Sequence, residues 1–258
     1  MNLLTPVRKV WSDVLSAVQF LTRVPVPSQR YEADSLARSV KYFPLVGALI
    51  GGSAAVLHLL LAPHLSRLAA AFCIILFLVM MTGCLHEDGL ADSADGFGGG
   101  YGREKILLIM RDSRIGTYGG AAVVFSLLGR VLFLSSIPLP HVVPTLIVAH
   151  ILCRWTTLPL SYFLPPARTQ EGEKVDGLGG RIAWLTSGRT LAWGTIFSFV
   201  TAVLLLRTRA IAPIVGSIAL CLVSGRFYKR RIGGVTGDCF GATNQLTELA
   251  IYVCGAWS

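Results

Sequence analysis

The sequence predicts an all-α fold: a polytopic integral membrane helix bundle of about six to seven transmembrane helices, with an N-terminal interfacial amphipathic helix. Three observations predict it. Hydrophobic residues make up 53% of the 258 positions against 14% charged, with a mean hydropathy of +0.63, too apolar for an ordinary soluble domain. Apolar runs approaching the ~20 residues that cross a bilayer recur along the chain. Basic residues gather between alternate runs: with the N-terminus inside and six runs crossing, 18 of the 23 Lys and Arg fall on the same side, Arg30, Lys174 and Arg181 among them. That side is the cytoplasmic one. Residues 1–258 read as a single membrane-embedded domain.

Each element has its own signal. In segment 1–29, Val7, Trp11, Val14, Val18 and Leu21 recur at helical spacing before the breaker TRVPVP, which describes a helix lying at the interface. Asp13 and Gln19 interrupt the run, and no small-residue site follows, so it is not a cleavable signal. Apolar runs at 44–62 and 68–86 are the first two expected spans, and the acidic segment 87–117 follows them as a cytoplasmic catalytic loop. Spans are expected again at 118–138 and 142–163, then, beyond a solvated connector from Pro165 to Arg189, at 190–206 and 210–224. Residues 225–248 read as a second cytoplasmic active-site segment, and 245–257 as a shorter run that spans or re-enters. The six cysteines lack CxxC spacing and sit in or beside apolar runs, which makes them core residues and not a disulfide framework. The net charge of +9 follows from topology and anionic lipid; no basic stripe interleaved with aromatics marks nucleic-acid binding.

Six of the fourteen acidic residues, Glu87, Asp88, Asp92, Asp95, Glu104 and Asp112, fall in one stretch. On a helix continuing past Leu85, Asp88, Asp92 and Asp95 stand at i, i+4 and i+7 on one face, where like charges repel unless a hard cation turns repulsion into coordination. Glu87, on the adjoining strip, completes the expected metal set. The glycine run Gly96–Gly102, with Gly98 and Gly99 at its centre, is expected to end that helix and offer backbone amides to phosphate. Asp112 between Arg111 and Arg114 places guanidinium forks beside a carboxylate. Asp238, Asn244 and Glu248 form a third group in KRRIGGVTGDCFGATNQLTE, on the same expected side. Of the histidines, His86 alone abuts the acids. Arg130 and Arg154, inside spans, are expected to pair within the bundle or snorkel.

Over FLTRVPVP, KYFPLVGALIG, HEDGLADSADGFGGG, MRDSRIGTYGG and GGVTGDCFGATNQLTE, in that order, the chain resembles the cobalamin 5′-phosphate synthases, also called adenosylcobinamide-GDP ribazoletransferases. The resemblance implies a Mg2+-dependent transferase of the bacterial cytoplasmic (inner) membrane. Its partners would be adenosylcobinamide-GDP, α-ribazole or its 5′-phosphate, membrane lipid and, as a homo-oligomer, a second copy of the chain; nucleic acid would not be one. It also implies the roles: Glu87, Asp88, Asp92 and Asp95 on metal; Arg103, Arg111, Arg114, Gly98 and Gly99 on phosphate; Asp238, Asn244 and Glu248 along the opposite wall. Asp92 or Asp112 would accept the proton of the attacking hydroxyl. A membrane CDP-alcohol phosphotransferase is the runner-up enzyme, and a cation-coupled transporter, with acids at the bilayer midplane, the reading from another class.

Overall fold

The computed structural model of the chain describes residues 4–27, 38–168 and 186–257, and of residues 4–9 the backbone helix alone. Arg30, Lys174, Arg181 and most of the expected connector lie outside the described residues. Helix α1, Leu4–Leu21, turns Asp13, Ser16, Ala17 and Leu21 inward and leaves Trp11 63% exposed. Asp13 is held by Arg38 at 3.2 Å and Lys41 at 3.7 Å, so this helix is docked on the bundle by a polar contact as well as an apolar one.

Helix α2, Phe43–Leu61, packs most extensively on α7, Leu139–Trp155. Small residues make this possible. A Cβ on Gly47 would overlap the His150 carbonyl, and one on Gly51 would stand 2.7 Å from the Ile147 Cα. Between them lie α3, Arg67–Thr82, α4, Leu85–Gly99, α5, Arg103–Ile109, and α6, Thr117–Ser136. After α7 follow α8, Thr157–Phe163, α9, Gly188–Leu206, α10, Ile211–Ile232, and α11, Gly237–Ala256. Helix α11 sits at the centre, against α4, α6, α7 and α10.

Four helical stretches are long and apolar enough to cross a membrane: Val40–Leu61, Thr117–Ser136, Leu139–Phe163 and Gly188–Ile232. A fifth is reached if α3 and α4, bent by 87°, count as a broken span. That is fewer than the six to seven expected, for two reasons. The runs at 190–206 and 210–224 form one 45-residue apolar stretch, broken at Arg207 where φ is 53°. Residues 245–257 are the second half of α11, a helix whose buried side includes Thr243, Asn244, Gln245, Thr247 and Glu248. The outer surface carries Leu49, Phe72, Phe125, Leu204 and Val223, all exposed, as lipid-facing positions of a membrane bundle are.

Neither expected cytoplasmic segment is a loop. Residues 87–117 hold most of α4, all of α5 and the first residue of α6; residues 225–248 hold the end of α10 and the start of α11. Hydropathy registers both as breaks because they are polar, whereas their backbones remain helical.

Candidate active site

Gly83 and Cys84 both take left-handed backbone conformations, at φ of 62° and 59°, which stops α3 and swings α4 out of its line. The acidic helix therefore leaves the apolar span behind it. Helix α4 then meets α11 at a crossing with no side chain between them. A Cβ on Gly89 would lie 3.0 Å from the Asp238 carbonyl oxygen and 3.1 Å from the Gly241 Cα, and one on Gly241 would lie 3.1 Å from the Gly89 Cα. This backbone-to-backbone approach brings the first turn of α11 beside the acidic face of α4.

Asp238 joins that face. Its carboxylate accepts from Arg168 Nη2 at 3.2 Å and from the Thr236 hydroxyl at 3.1 Å. Asp92, about half buried, is pushed up to about 7, first by burial and then by the charges of Asp88, Asp238 and Asp95, with Arg168 opposing. Three carboxylates near enough to raise a fourth constitute the like-charge crowding the spacing predicts. Asp88 is exposed.

Asp95 is committed elsewhere. Its two oxygens accept the backbone N–H of Gly116 at 2.7 Å and of Gly119 at 2.8 Å, so it caps the start of α6. Side chains on either glycine would strike this carboxylate. Glu87 points away from the acidic face: buried, it takes Arg130 Nη2 at 2.8 Å and Gln245 Nε2 at 3.2 Å on one oxygen. Arg130, 1% exposed, also reaches Glu248 at 3.4 Å, closing a triad across α4, α6 and α11. Arg130 thus pairs inside the bundle as expected, and Glu87 and Glu248, expected on metal and substrate, are its counter-ions.

The glycine run departs from its expected form. Helix α4 continues through Gly99, so the amides of Gly98 and Gly99 lie in a helix and not in an open phosphate loop. A Cβ on Gly98 would meet the Tyr118 ring at 2.7 Å, and one on Gly96 would meet Met110 at 2.6 Å; these glycines serve close packing. Arg103 donates to the Ala167 carbonyl at 2.9 Å, beside Arg168. Arg111 is exposed on the turn before α6. On the same turn Asp112 is gripped by Arg114 at 2.7 Å, and this hydrogen bonding holds its carboxyl down to about 2. Asn244 is buried, with Oδ1 unpartnered.

Arg168 and Arg231 had no role assigned from the sequence. Arg168 falls in what read as a solvated connector, yet a parallel bridge between Pro166 and Val235 fastens that strip to the start of α11, with Ala167 N donating to Val235 O at 2.9 Å. Its signal was the double proline ahead of it. Arg231 donates to the Phe97 and Gly100 carbonyls at 3.1 and 3.4 Å, closing the C-terminal end of α4. One cation among three at the end of α10 gives no such signal.

The donor set of Asp88, Asp92 and Asp238 is all hard oxygen, which fits a hard divalent cation such as Mg2+. The oxygens do not form a preassembled cage. Among the described residues, the one group of three metal-ligand side chains with atoms within 4.8 Å is His150, Cys153 and Glu248, deep in the bundle. Arg154 bonds the first two of these at 2.8 and 2.9 Å and Arg130 the third, which opposes a cation there. A spread set suits Mg2+ better than a cage does, because the ion keeps waters and shares itself between a few carboxylates and substrate phosphates.

A sequence profile described as cobalamin-5-phosphate synthase matches residues 13–256. Proteins named adenosylcobinamide-GDP ribazoletransferase are similar over nearly their full lengths. That of Sinorhizobium medicae is 42% identical, covering 96% of this chain and 97% of the relative. Those of Rhizobium meliloti and Ralstonia pickettii are 40% and 36% identical, covering 95% of this chain each and 96% and 94% of the relatives. No solved structure matches the chain. With the acidic α4, its glycine crossing to α11 and a match spanning both, the chain belongs to the cobalamin-5-phosphate synthase family.

Proposed function

We propose that this chain joins adenosylcobinamide-GDP to α-ribazole, or to its 5′-phosphate, releasing GMP, at the cytoplasmic face of a bacterial inner membrane and with Mg2+ as its metal. The observation that carries the reading is the meeting of Asp88, Asp92 and Asp238 beside Arg168 at the Gly89–Gly241 crossing. Phosphoryl transfer needs chiefly positioning and charge neutralisation. Mg2+, held by Asp88, Asp92 and Asp238, would supply the neutralisation of the diphosphate.

The chain's own residues supply the rest. Arg168 holds Asp238 through Nη2 and so fixes a guanidinium beside the carboxylates, where phosphate charge would sit. The ribazole 3′-oxygen bonds to the phosphorus beside the cobinamide arm, the bond from that phosphorus to the bridging oxygen breaks, and GMP leaves with the electron pair. The hydroxyl proton goes to a carboxylate. Asp92, among the carboxylates at the crossing, is placed for that task, and Asp112, paired with Arg114 in an exposed turn, is not. Asp92 would both help to hold the cation and offer a carboxylate oxygen to the proton.

The test is GMP release by purified protein in lipid nanodiscs given the GDP-activated corrinoid, α-ribazole and Mg2+. Release that stops with a chelator and resumes with excess Mg2+ is the expected result. Absence of release from folded protein across divalent metals overturns the proposal.

A further inference from the structure

Beside the glycine crossing lies a cavity of about 210 Å3, walled by Phe20 of α1, Phe43 of α2 and Phe240 of α11, with His86, Arg154, Thr157 and Asn244 as its polar members. It shares His86 and Gly241 with the α4–α11 contact, and Gly237 of its lining precedes Asp238 in the chain. Phe20 and Phe43 stack with centroids 5.7 Å apart and planes 16° from parallel. Two buried polar atoms of the wall residues have no partner: Arg154 Nε, a donor, and Asn244 Oδ1, an acceptor. Both side chains are nearly inaccessible, at 1% and 2%. Leaving such groups unpaired is costly, and a ligand that pairs them recovers the cost.

The charge balance decides what kind of ligand. Arg154 Nη1 bonds His150 Nδ1 at 2.8 Å, and His150 Nε2 stands 4.0 Å from the Glu248 carboxylate that Arg130 also reaches. Arg130 and Arg154 thus sit in one network with Glu87 and Glu248, two cations against two anions. The cavity has no surplus charge to attract phosphate. Its size lies below the ~300 Å3 at which drug-sized pockets begin. Flat aromatic walls with one unpartnered donor and one unpartnered acceptor describe a small, neutral, planar heterocycle whose ring nitrogen accepts from Arg154, with a ring N–H or, in a nucleoside, a sugar hydroxyl donating to Asn244.

We propose that this cavity seats the heteroaromatic base of the nucleoside acceptor, leaving the sugar hydroxyl toward the carboxylates around Asp92. The inference rests on the ribazole-transfer reading for its ligand, and is tested apart from it by equilibrium binding of benzimidazole, which needs no turnover. Calorimetric titration of wild-type protein in nanodiscs should show one saturable site. Leu21→Trp, which fills the cavity from α1, should weaken binding at least about tenfold, as should Asn244→Leu, which adds no bulk but removes the acceptor. In turnover assays each should raise KM for α-ribazole by a similar factor and leave KM for the GDP-activated corrinoid within twofold. Wild-type protein that binds no benzimidazole, or variants that bind it undiminished, overturn the cavity assignment even if GMP is released. Saturable binding lost in both variants upholds it even if no GMP is released.

Discussion

At the scale of single residues, the acidic face divides by what each carboxylate touches. Asp92 is crowded by like charge, Asp95 caps a helix and Asp112 is paired in a surface turn, although all three look alike in the sequence. Asp92→Asn should therefore lower turnover about 100-fold or more, the scale of a lost general base, whereas Asp112→Asn should stay within a few-fold; steady-state GMP release separates them. Asp92 also links stability to pH. Its folded value, about 7, lies above the ordinary 3.8, so the folded protein binds the proton more tightly than the unfolded chain. Stability from this group is full below about pH 4 and declines as pH rises towards 7. A divalent cation competes with that proton, so Mg2+ should raise the Tm more at pH 8 than at pH 5; an equal rise at both would remove Asp92 from the cation's surroundings. The helical spacing of Asp88, Asp92 and Asp95 was legible. The diversion of Asp95 was not, because the amides it caps belong to Gly116 and Gly119, far along the chain.

At the scale of elements, the site depends on how α4 is held against α6 and α11. Gly89→Ala forces a methyl to within 3.0–3.2 Å of Asp238 and Gly241 backbone atoms, and only a shift of α11 relieves it. Turnover should fall at least about tenfold, since misplacement by 1 Å costs up to ~100-fold. Gly52→Ala on α2, with nothing within 4 Å of its Cβ, should leave turnover unchanged and slightly favour the helix. The same GMP-release assay reads both. Arg130→Met strands Glu87 and Glu248 in the interior, and the Tm should drop by an amount corresponding to about 3–5 kcal/mol. Adding Glu87→Gln and Glu248→Gln should restore part of it, which a plain loss of packing would not. Single acids and arginines were visible in the sequence; their pairing was not, since Glu87, Arg130 and Glu248 come from three separated helices. For the same reason Glu248 read as a wall of the site instead of a strut behind it.

At the scale of the whole molecule, composition and charge asymmetry were enough to show a helical membrane bundle. The number of crossings was not legible, because a 45-residue apolar stretch reads as two runs and a polar-faced central helix reads as a loop with a short tail. Hydropathy averages over faces, and α11 turns Gln245 and Glu248 towards partners that satisfy them. The proposed cytoplasmic placement of the acidic side has a direct test. In a Cys84→Ser background, Ser113→Cys on the exposed turn before α6 should react with an impermeant thiol reagent in inside-out vesicles and not in right-side-out ones. The opposite pattern would invert the topology.

The unshielded crossing of Gly89 and Gly241 joins two helices with six other described α-helices between them in the chain. During synthesis, the acidic face of α4 lacks its partner Asp238 until α11 leaves the ribosome. Catalytic competence therefore waits on α11, and a nascent chain interrupted anywhere before residue 237 would be membrane-inserted yet inert.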